Sequence, residues 1–440
     1  MKKIFILISI VFSLSCGRKS DENNVEDVLN DLAAKYVRLG LVIGQYDTEF
    51  VDAYYGPDSI KPVTDKQAIF PKDSLLKAVN DLQSDFKKYA ENEKNDTLRL
   101  RANWMEQQLT AFGRRIKIYG GEYAGFDEES KELFGAVAPT HPEQYFKSIV
   151  QQFDSILPGK GSIPDRFQKL ANRFIIPKNK LDTVFKAAIA ECRKRTKEHY
   201  TLPDNERFEL EYVSNKPWSG YNWYKGNYRS VIQINTDLDI FIDRAIDIGS
   251  HESYPGHHVY NMLLEKNLYH DKGWVEISFY PLYSPQSLIA EGSANYGIEV
   301  AFPGDEKIRF TKEVLLPLAG LDTAGIDIYF KALILKGELN FARNEAGRGL
   351  LNGSFTEAEA MRWLKEYCLN NDETAAKGIS FIKAMRSYII NYNYGLELVK
   401  NYIESKGGTA NDPMKRWELF GWLLSNEVMP GDLKDSSGNH

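Results

Sequence analysis

The chain has 440 residues, 43% of them hydrophobic and 26% charged, a composition typical of a globular protein. Its formal net charge of −6 gives no electrostatic reason to expect a nucleic-acid partner. Three cysteines are too few for a disulfide scaffold or for a four-cysteine zinc site.

Residues 1–15 have the pattern of an export signal. Two lysines precede an apolar stretch that is too short for a stable transmembrane helix. Cys16 follows at once and, with the three residues before it, resembles a relaxed bacterial lipobox, in which the cysteine is lipidated. We therefore predict removal of 1–15, a lipidated Cys16 at the start of a flexible tether over 16–24, and a membrane-anchored lipoprotein of a bacterial cell envelope.

Most of the remaining chain has the apolar spacing of amphipathic helices. The predicted helices cover 25–46, 73–89, 96–119, 142–157, 178–200, 285–300, 355–368, 376–406 and 413–428. Two strands are predicted over 208–213 and 230–235, on either side of an aromatic loop. We predict one large, mainly α domain over 25–432, with two lobes as an alternative. A small β element precedes a histidine-rich segment, and a disordered tail covers 433–440.

The histidine-rich segment has the residue types of a zinc hydrolase. Three of the chain's seven histidines, His251, His257 and His258, lie within eight residues, and Glu252 follows the first. A glutamate directly after a histidine is typical of zinc hydrolases, where the imidazole binds metal and the carboxylate takes a proton from water. The usual spacing is H-E-x-x-H, because positions i and i+4 share one helix face.

The spacing in this chain departs from that pattern. In a straight helix, His257 would lie about 120° around and roughly 9 Å along the axis from His251. Two nitrogens so far apart cannot share a zinc at about 2.1 Å each. Pro255 and Gly256 are expected to break the helix and bring His257 back by one turn, while His258 is expected to support the ligands. The alternative is that these are structural histidines beside a kink.

The run HESYPGHH at 251–258 resembles the signature of the bacterial domain-of-unknown-function family eight-eight-five. The runs VDAYYGP, GYNWYKGNYRSVIQINTDL and SPQSLIAEGSANY, at 51–57, 220–238 and 284–296, also agree with that family. The resemblance implies a zinc metallopeptidase-like domain of the gluzincin type, in which two histidines and a downstream glutamate hold the metal. On that pattern, His251 and His257 are two of the ligands.

The third ligand is expected on the predicted helix 285–300. The resemblance points to Glu291, and Glu276 and Glu299 are the fallback candidates. Asn295 lies four residues after Glu291, hence on the same helix face, where it can accept a hydrogen bond from a ligand imidazole.

Three catalytic residues are predicted. Glu252 is the general base. The resemblance implies an arginine followed by Tyr-x-x-Gly near the C terminus, which maps onto Arg386 and 392–395, although the Pro-Gly-Gln that many members carry between them is missing here. Arg386 and Tyr392 are therefore predicted to stabilise an oxyanion. Core packing of these tyrosines is the alternative, and the isolated histidines are expected to be structural: His141, His199 and His270.

These features predict a zinc-dependent hydrolase that cuts peptides, is anchored to a membrane by lipid and has no nucleic-acid partner. A zinc amidohydrolase acting on a non-peptide amide is an alternative, because it needs the same metal, water and base. A metal-free binding lipoprotein on a peptidase-like fold is another alternative. The intact Glu252 argues against that last alternative.

Overall fold

The computed structural model describes residues 18–64, 66–216 and 218–434, with the side chains of the first helix described from Glu26 onwards. The predicted signal peptide, Cys16 and the end of the predicted tail lie outside these residues. Within them, no helix combines the length and apolar character that crossing a membrane requires. Leu433 is buried, so the fold extends into the segment predicted as a tail.

The described chain is mainly helical, as predicted. Its helices are α1 (Arg18–Tyr46), α2 (Lys72–Asn92), α3 (Asp96–Tyr119), α4 (Phe126–Phe134), α5 (Glu143–Ile156), α6 (Ile163–Ala171), α7 (Leu181–Lys197), α8 (Ile242–Glu252), α9 (His257–Leu264), α10 (Pro285–Ala301), α11 (Glu306–Phe310), α12 (Leu316–Ala319), α13 (Ile326–Leu339), α14 (Ala342–Leu351), α15 (Glu357–Glu366), α16 (Asp372–Met385), α17 (Ile390–Ser405) and α18 (Pro413–Leu424). Helices α4, α6 and α11 to α14 were not predicted from the apolar spacing.

Among the helix boundaries that differ from the predictions, three have a local cause. Helix α1 begins at Arg18, inside the segment predicted as a tether, because no proline or glycine interrupts 18–25. The predicted helix 376–406 is divided into α16 and α17, because Arg386 has a left-handed backbone conformation with φ of 53°. Helix α15 begins at Glu357 rather than at 355, because Thr356 forms a reciprocal capping box with the third residue of the helix.

The strands form two small sheets. They are β1 (Val51–Tyr54), β2 (Arg207–Val213), β3 (Gly220–Tyr224), β4 (Arg229–Asn235) and β5 (Phe279–Pro281). Strand β4 is central in a three-stranded sheet, parallel to β2 and antiparallel to β3, and β1 pairs antiparallel with β5. The two predicted strands are β2 and β4, whereas β3 lies in the segment predicted as an aromatic loop.

Helix α10 is the centre of the larger hydrophobic core. Nearly all of its residues are buried, and it packs against α8, α9, α17 and α18. A second core lies between α1, α2 and α3. This arrangement places the ends of α8 and α9 and the middle of α10 around one point, where the histidine-rich segment lies.

Candidate metal centre

A break between α8 and α9 brings His251 and His257 together. Helix α8 ends at Glu252 and α9 begins at His257, so the predicted break at Pro255 and Gly256 is confirmed. Gly256 packs against the end of α8, where an added Cβ would lie 1.9 Å from the carbonyl oxygen of His251, so no larger residue fits. The Nε2 atoms of the two histidines are 3.1 Å apart.

Glu291, on α10, completes a group of three possible metal ligands. Its Oε2 lies 3.3 Å from Nε2 of His251 and 3.8 Å from Nε2 of His257. In the described part of the chain, these three are the residues whose histidine, cysteine or carboxylate atoms converge in a metal-compatible group. The structure thus brings together the three residues predicted as ligands.

The spacing and chemistry of these atoms fit zinc. Tetrahedral ligand atoms at about 2.1 Å from a zinc are roughly 3.4 Å from one another. The three distances between the candidate ligand atoms, 3.1, 3.3 and 3.8 Å, lie on either side of that value. Oε2 of Glu291 is buried and accepts no hydrogen bond of good geometry, although a buried acceptor without a donor is unfavourable. A cation between the three atoms removes that cost. Two imidazoles and one carboxylate are also a common catalytic zinc set.

The pKa values of the two imidazoles differ strongly. Burial opposes a charge on His251, but Glu291, Glu252 and Asn295 outweigh it and raise the pKa of His251 to about 8. Burial and the charge of His251 lower the pKa of His257 to about 4. The pocket therefore favours one positive charge, on His251, and opposes a second one on His257.

Hydrogen bonds from neighbouring helices orient two of the three candidate ligands. Nδ1 of His251 lies 3.0 Å from Oδ1 of Asn295, whose Nδ2 donates to the carbonyl of Tyr392 and thereby fixes the amide orientation. His251 consequently donates through Nδ1, so Nε2 is the ring nitrogen that faces His257 and Glu291. The hydroxyl of Tyr388 donates to Oε1 of Glu291 at 3.0 Å, which leaves Oε2 facing the histidines. Tyr388 was not predicted, although it lies one helical turn before the predicted Tyr392.

Glu252 lies at the end of α8, beside the three candidate ligands. The residue is 7% exposed, and its backbone carbonyl accepts a hydrogen bond from Asn222 of β3. Burial raises the pKa of Glu252 to about 7, with His251 opposing the shift and Glu291 adding to it. A Cβ on Gly220 would lie 3.1 Å from Oε1 of Glu252, so the first residue of β3 runs close to the carboxylate.

The candidate centre opens into a cleft with a volume of about 2260 Å³. That exceeds the roughly 300–1,000 Å³ typical of pockets for small ligands. The wall includes Asp52 of β1, whose carboxylate accepts a hydrogen bond from Tyr221 of β3. Burial raises the pKa of Asp52 to about 6, which the bond from Tyr221 opposes and Glu291 favours. Both residues lie in runs that support the family resemblance, but neither was predicted as a site residue.

The structure separates the two residues predicted to stabilise an oxyanion. Tyr392 lines the cleft, and after burial Glu291 and Glu252 are the largest influences that raise its pKa. Arg386 does not reach the cleft wall, so that prediction is wrong. Its guanidinium makes a two-point ion pair with the fully buried Glu129, with Nε–Oε2 and Nη2–Oε1 distances of 2.6 and 2.8 Å. Without Arg386 that carboxylate would be a buried, unpaired charge.

His258 is not a support for the candidate ligands, contrary to the prediction. It is fully buried, with Nδ1 2.8 Å from the hydroxyl of Ser230 and Nε2 2.9 Å from Oε1 of Glu206. Ser230 lies in β4 and Glu206 directly precedes β2, so these contacts fix both strands to α9. Because successive helical residues point about 100° apart, His258 faces this core while His257 faces the cleft.

The fallback ligands and the isolated histidines have other partners. Glu276 is buried in an ion pair with Arg101, and Glu299 pairs with Lys400 at 2.8 Å. The isolated histidines lie outside the group of candidate ligands and contact an aromatic ring or a carboxylate: His141, His199 and His270.

Comparison with known proteins supports the fold more than the activity. No protein-family model matches the chain. No curated protein matches it either, so the resemblance to family eight-eight-five stays a prediction. A candidate lipoprotein from Colwellia psychrerythraea, known from its crystal structure, is similar with a TM-score of 0.52 and 15% identity, over 82% of this chain and 68% of that chain. At that identity the likeness shows the fold alone.

Two metallopeptidase structures are more distant. The M32 carboxypeptidase from Deinococcus radiodurans R1 has a TM-score of 0.41 and 12% identity, over 94% of each chain. Metallocarboxypeptidase 1 of Trypanosoma cruzi has a TM-score of 0.43 and 13% identity, over 91% of this chain and 90% of that chain. Likeness at this level does not assign an activity, so the functional argument rests on the candidate metal centre.

Proposed function

We propose that the chain is a zinc-dependent hydrolase that cuts peptide bonds. The observation that supports this most directly is the convergence of His251, His257 and Glu291 within 4.8 Å of one another, with Glu252 beside them on the cleft wall. When bound, zinc supplies Lewis acidity, which lowers the pKa of a coordinated water and polarises a carbonyl group. Three protein ligands leave a coordination position open, as in catalytic rather than structural sites.

The role that we assign to Glu252 is proton transfer. Its backbone position directly after His251 turns its side chain about 100° away from the imidazole, so it borders the metal position without competing for it. The carboxylate accepts a proton from the attacking water and passes it to the leaving amine. Its low exposure and the close approach of Gly220 hold the carboxylate in one place.

Tyr392 is proposed to donate a hydrogen bond to the developing oxyanion. Its backbone carbonyl is held by Asn295, which also orients His251, so the tyrosine and the first ligand share one support. The hydroxyl of Tyr388 already donates its hydrogen to Glu291, so it cannot also donate to the oxyanion. A hydroxyl placed at the position of the charge is a common means of oxyanion stabilisation.

The size of the cleft favours a peptide over a small amide. A volume of about 2260 Å³ accommodates several residues of an extended chain, whereas a non-peptide amide of drug size needs far less. The amidohydrolase alternative is therefore the second candidate. Intact Glu252 argues against a binding protein without activity.

We further propose that the protein is held on a bacterial membrane through a lipid on Cys16. The leader supports this proposal, and the similar structure from Colwellia psychrerythraea is itself described as a candidate lipoprotein. Cys16→Ser should release the protein from the membrane fraction or block its processing. Unchanged membrane association of this variant, with no lipid detected by mass spectrometry, would refute the anchor.

Glu252→Gln tests the proposed chemistry. The amide keeps the shape of the side chain but does not accept the proton, so zinc should stay bound while hydrolysis of a mixed peptide library, read by mass spectrometry, falls at least about a hundredfold. Loss of zinc and activity together would identify Glu252 as a ligand. Retention of both would place the base elsewhere. If zinc-loaded wild type cuts no peptide, the amidohydrolase candidate replaces the peptidase.

A further inference from the structure

The wall of the cleft contains an arginine without an acceptor. Arg343, on α14, lines the cleft, and its Nε is buried without a hydrogen bond. Among the described residues it forms no ion pair, whereas Arg348 on the same helix binds Asp127 and Glu345. A guanidinium is always charged, and burying part of it without a partner is unfavourable. Such a group in a substrate cleft indicates that an anionic group of the substrate pairs with the guanidinium.

The position of Arg343 relative to the candidate metal centre is fixed by its neighbours. The next residue, Asn344, exchanges two hydrogen bonds of 3.0 Å with Asn393, and Asn393 directly follows Tyr392. Burial, Glu291 and Glu252 raise the pKa of Tyr392, while Arg343 lowers it. The paired asparagines thus hold Arg343 and Tyr392 on the wall of the same cleft that the candidate metal centre opens into.

We propose that Arg343 binds the C-terminal carboxylate of a peptide whose last peptide bond lies at the candidate metal centre. This inference rests on the proposed function. The planar guanidinium matches a carboxylate at two points, and a chain terminus is the one carboxylate that every peptide carries. In the reaction, water adds across the last peptide bond. The C–N bond breaks, a C–O bond forms, and the amine takes a proton, which releases one free amino acid.

Two other charged residues of the cleft define the competing outcomes. Asp52 carries a carboxylate that would suit the ammonium group of a peptide N terminus, which would make the protein an aminopeptidase. Arg244 also lacks an ion pair among the described residues, but its Nη2 donates to the hydroxyl of Ser219 at 3.2 Å. It is therefore partly satisfied without substrate and serves as the matched control for Arg343.

The test uses zinc-loaded full-length protein and one peptide sequence in four forms: both ends free, N-acetylated, C-amidated, and C-amidated with an added internal glutamate. We expect kcat/KM to be about ten- to a hundredfold higher for the two forms with a free C-terminal carboxylate than for the two amidated forms. We also expect a single amino acid to be released. Arg343→Met should abolish this preference, so that the ratio of kcat/KM for the free and amidated peptides falls to about one. Arg343→Lys should retain part of it, and Arg244→Met should retain all of it.

Several results would overturn the inference. Among the wild-type results, these are equal cutting of the free and amidated peptides, or a dependence on the free N terminus alone. Rescue of the amidated peptide by the internal glutamate would also contradict the inference. So would a preference that survives in Arg343→Met or disappears in Arg244→Met. The wild-type comparison stands even if Arg343→Met does not fold.

A binding measurement separates failure of this inference from failure of the proposed function. Calorimetric titration of Glu252→Gln protein with the free and amidated peptides should show tighter binding of the free carboxylate, lost when Arg343→Met is added. If this holds but wild type hydrolyses no peptide, the proposed function fails and the carboxylate site stands. If peptides are cut without regard to their C terminus, the carboxylate site fails and the hydrolase stands.

Discussion

A Cβ atom on Gly292 would lie 2.3 Å from the carbonyl oxygen of Gly395, so α10 and α17 touch backbone to backbone at this point. Any larger side chain at either position would push the two helices apart. Glu291 directly precedes Gly292, and Tyr392 lies three residues before Gly395. This contact therefore sets the distance between the candidate third ligand and the tyrosines of α17.

Gly292→Ala should damage both the fold and the metal centre. The added methyl group meets backbone that has no room to move, and overpacking of this kind costs about 1–3 kcal/mol of unfolding free energy. Zinc affinity should fall as well. Gly113→Ala in α3 is the control, because its Cβ would meet only Val79 at 3.8 Å and alanine favours a helix by roughly 0.5–1 kcal/mol. Urea unfolding that shows equal effects for the two variants would contradict this account.

Asn295→Ala should weaken zinc binding without abolishing it. The substitution removes the acceptor for Nδ1 of His251, and loss of such a support typically costs about 10- to 100-fold in metal affinity. Asn295→Asp keeps the acceptor for Nδ1 but loses the donor to the carbonyl of Tyr392, so it should bind zinc more tightly than Asn295→Ala. Tyr388→Phe removes the donor to Glu291 and should resemble Asn295→Ala. Competition with a chelator measures all three, and an affinity unchanged in Asn295→Ala would disprove the orienting role.

Glu206 should give the protein a stability that disappears in acid. Burial would raise its pKa, but hydrogen bonds from His258, Tyr254 and Arg193 outweigh this and lower the pKa of Glu206 to about 2. The ordinary value is about 4.3, so the stabilisation is complete above that pH and is lost as the pH falls toward 2.

Glu206→Gln should therefore lower the unfolding free energy by about 3 kcal/mol at pH 7, because it leaves buried donors without their charged acceptor. The difference from wild type should shrink as the pH falls from about 4 to about 2, because the wild-type carboxyl then becomes neutral too. Glu209→Gln, at an exposed position of β2, is the control and should behave as wild type. A difference that stays constant on acidification would show that the charge of Glu206 is not the cause.

The sequence predicted those features that depend on local chemistry. Helix α3 has the bounds predicted for it, because Asn95 caps its start and Gly120 follows its end. The approach of His257 to His251 was predicted for a similar reason, because Pro255 and Gly256 break the helix at their own positions.

Features that depend on distant partners were not predictable in the same way. Arg386 was predicted to be catalytic from the family resemblance. Its acceptor, Glu129, lies 257 residues earlier in the chain, and no local pattern indicates that pairing. His258 has its partners 28 and 52 residues away, in Ser230 and Glu206. Strand β3 was missed because its pairing with β4, rather than any alternation of its own residues, makes it a strand.

The most direct test of the central claim is the zinc content of the purified full-length protein after reconstitution with zinc and removal of excess metal. Elemental mass spectrometry should find about one zinc per chain in wild type, as the group of His251, His257 and Glu291 requires. His257→Ala should lose the metal, and His258→Gln should keep it. No zinc in a folded wild type, or zinc kept by His257→Ala and lost by His258→Gln, would contradict the metal centre described above.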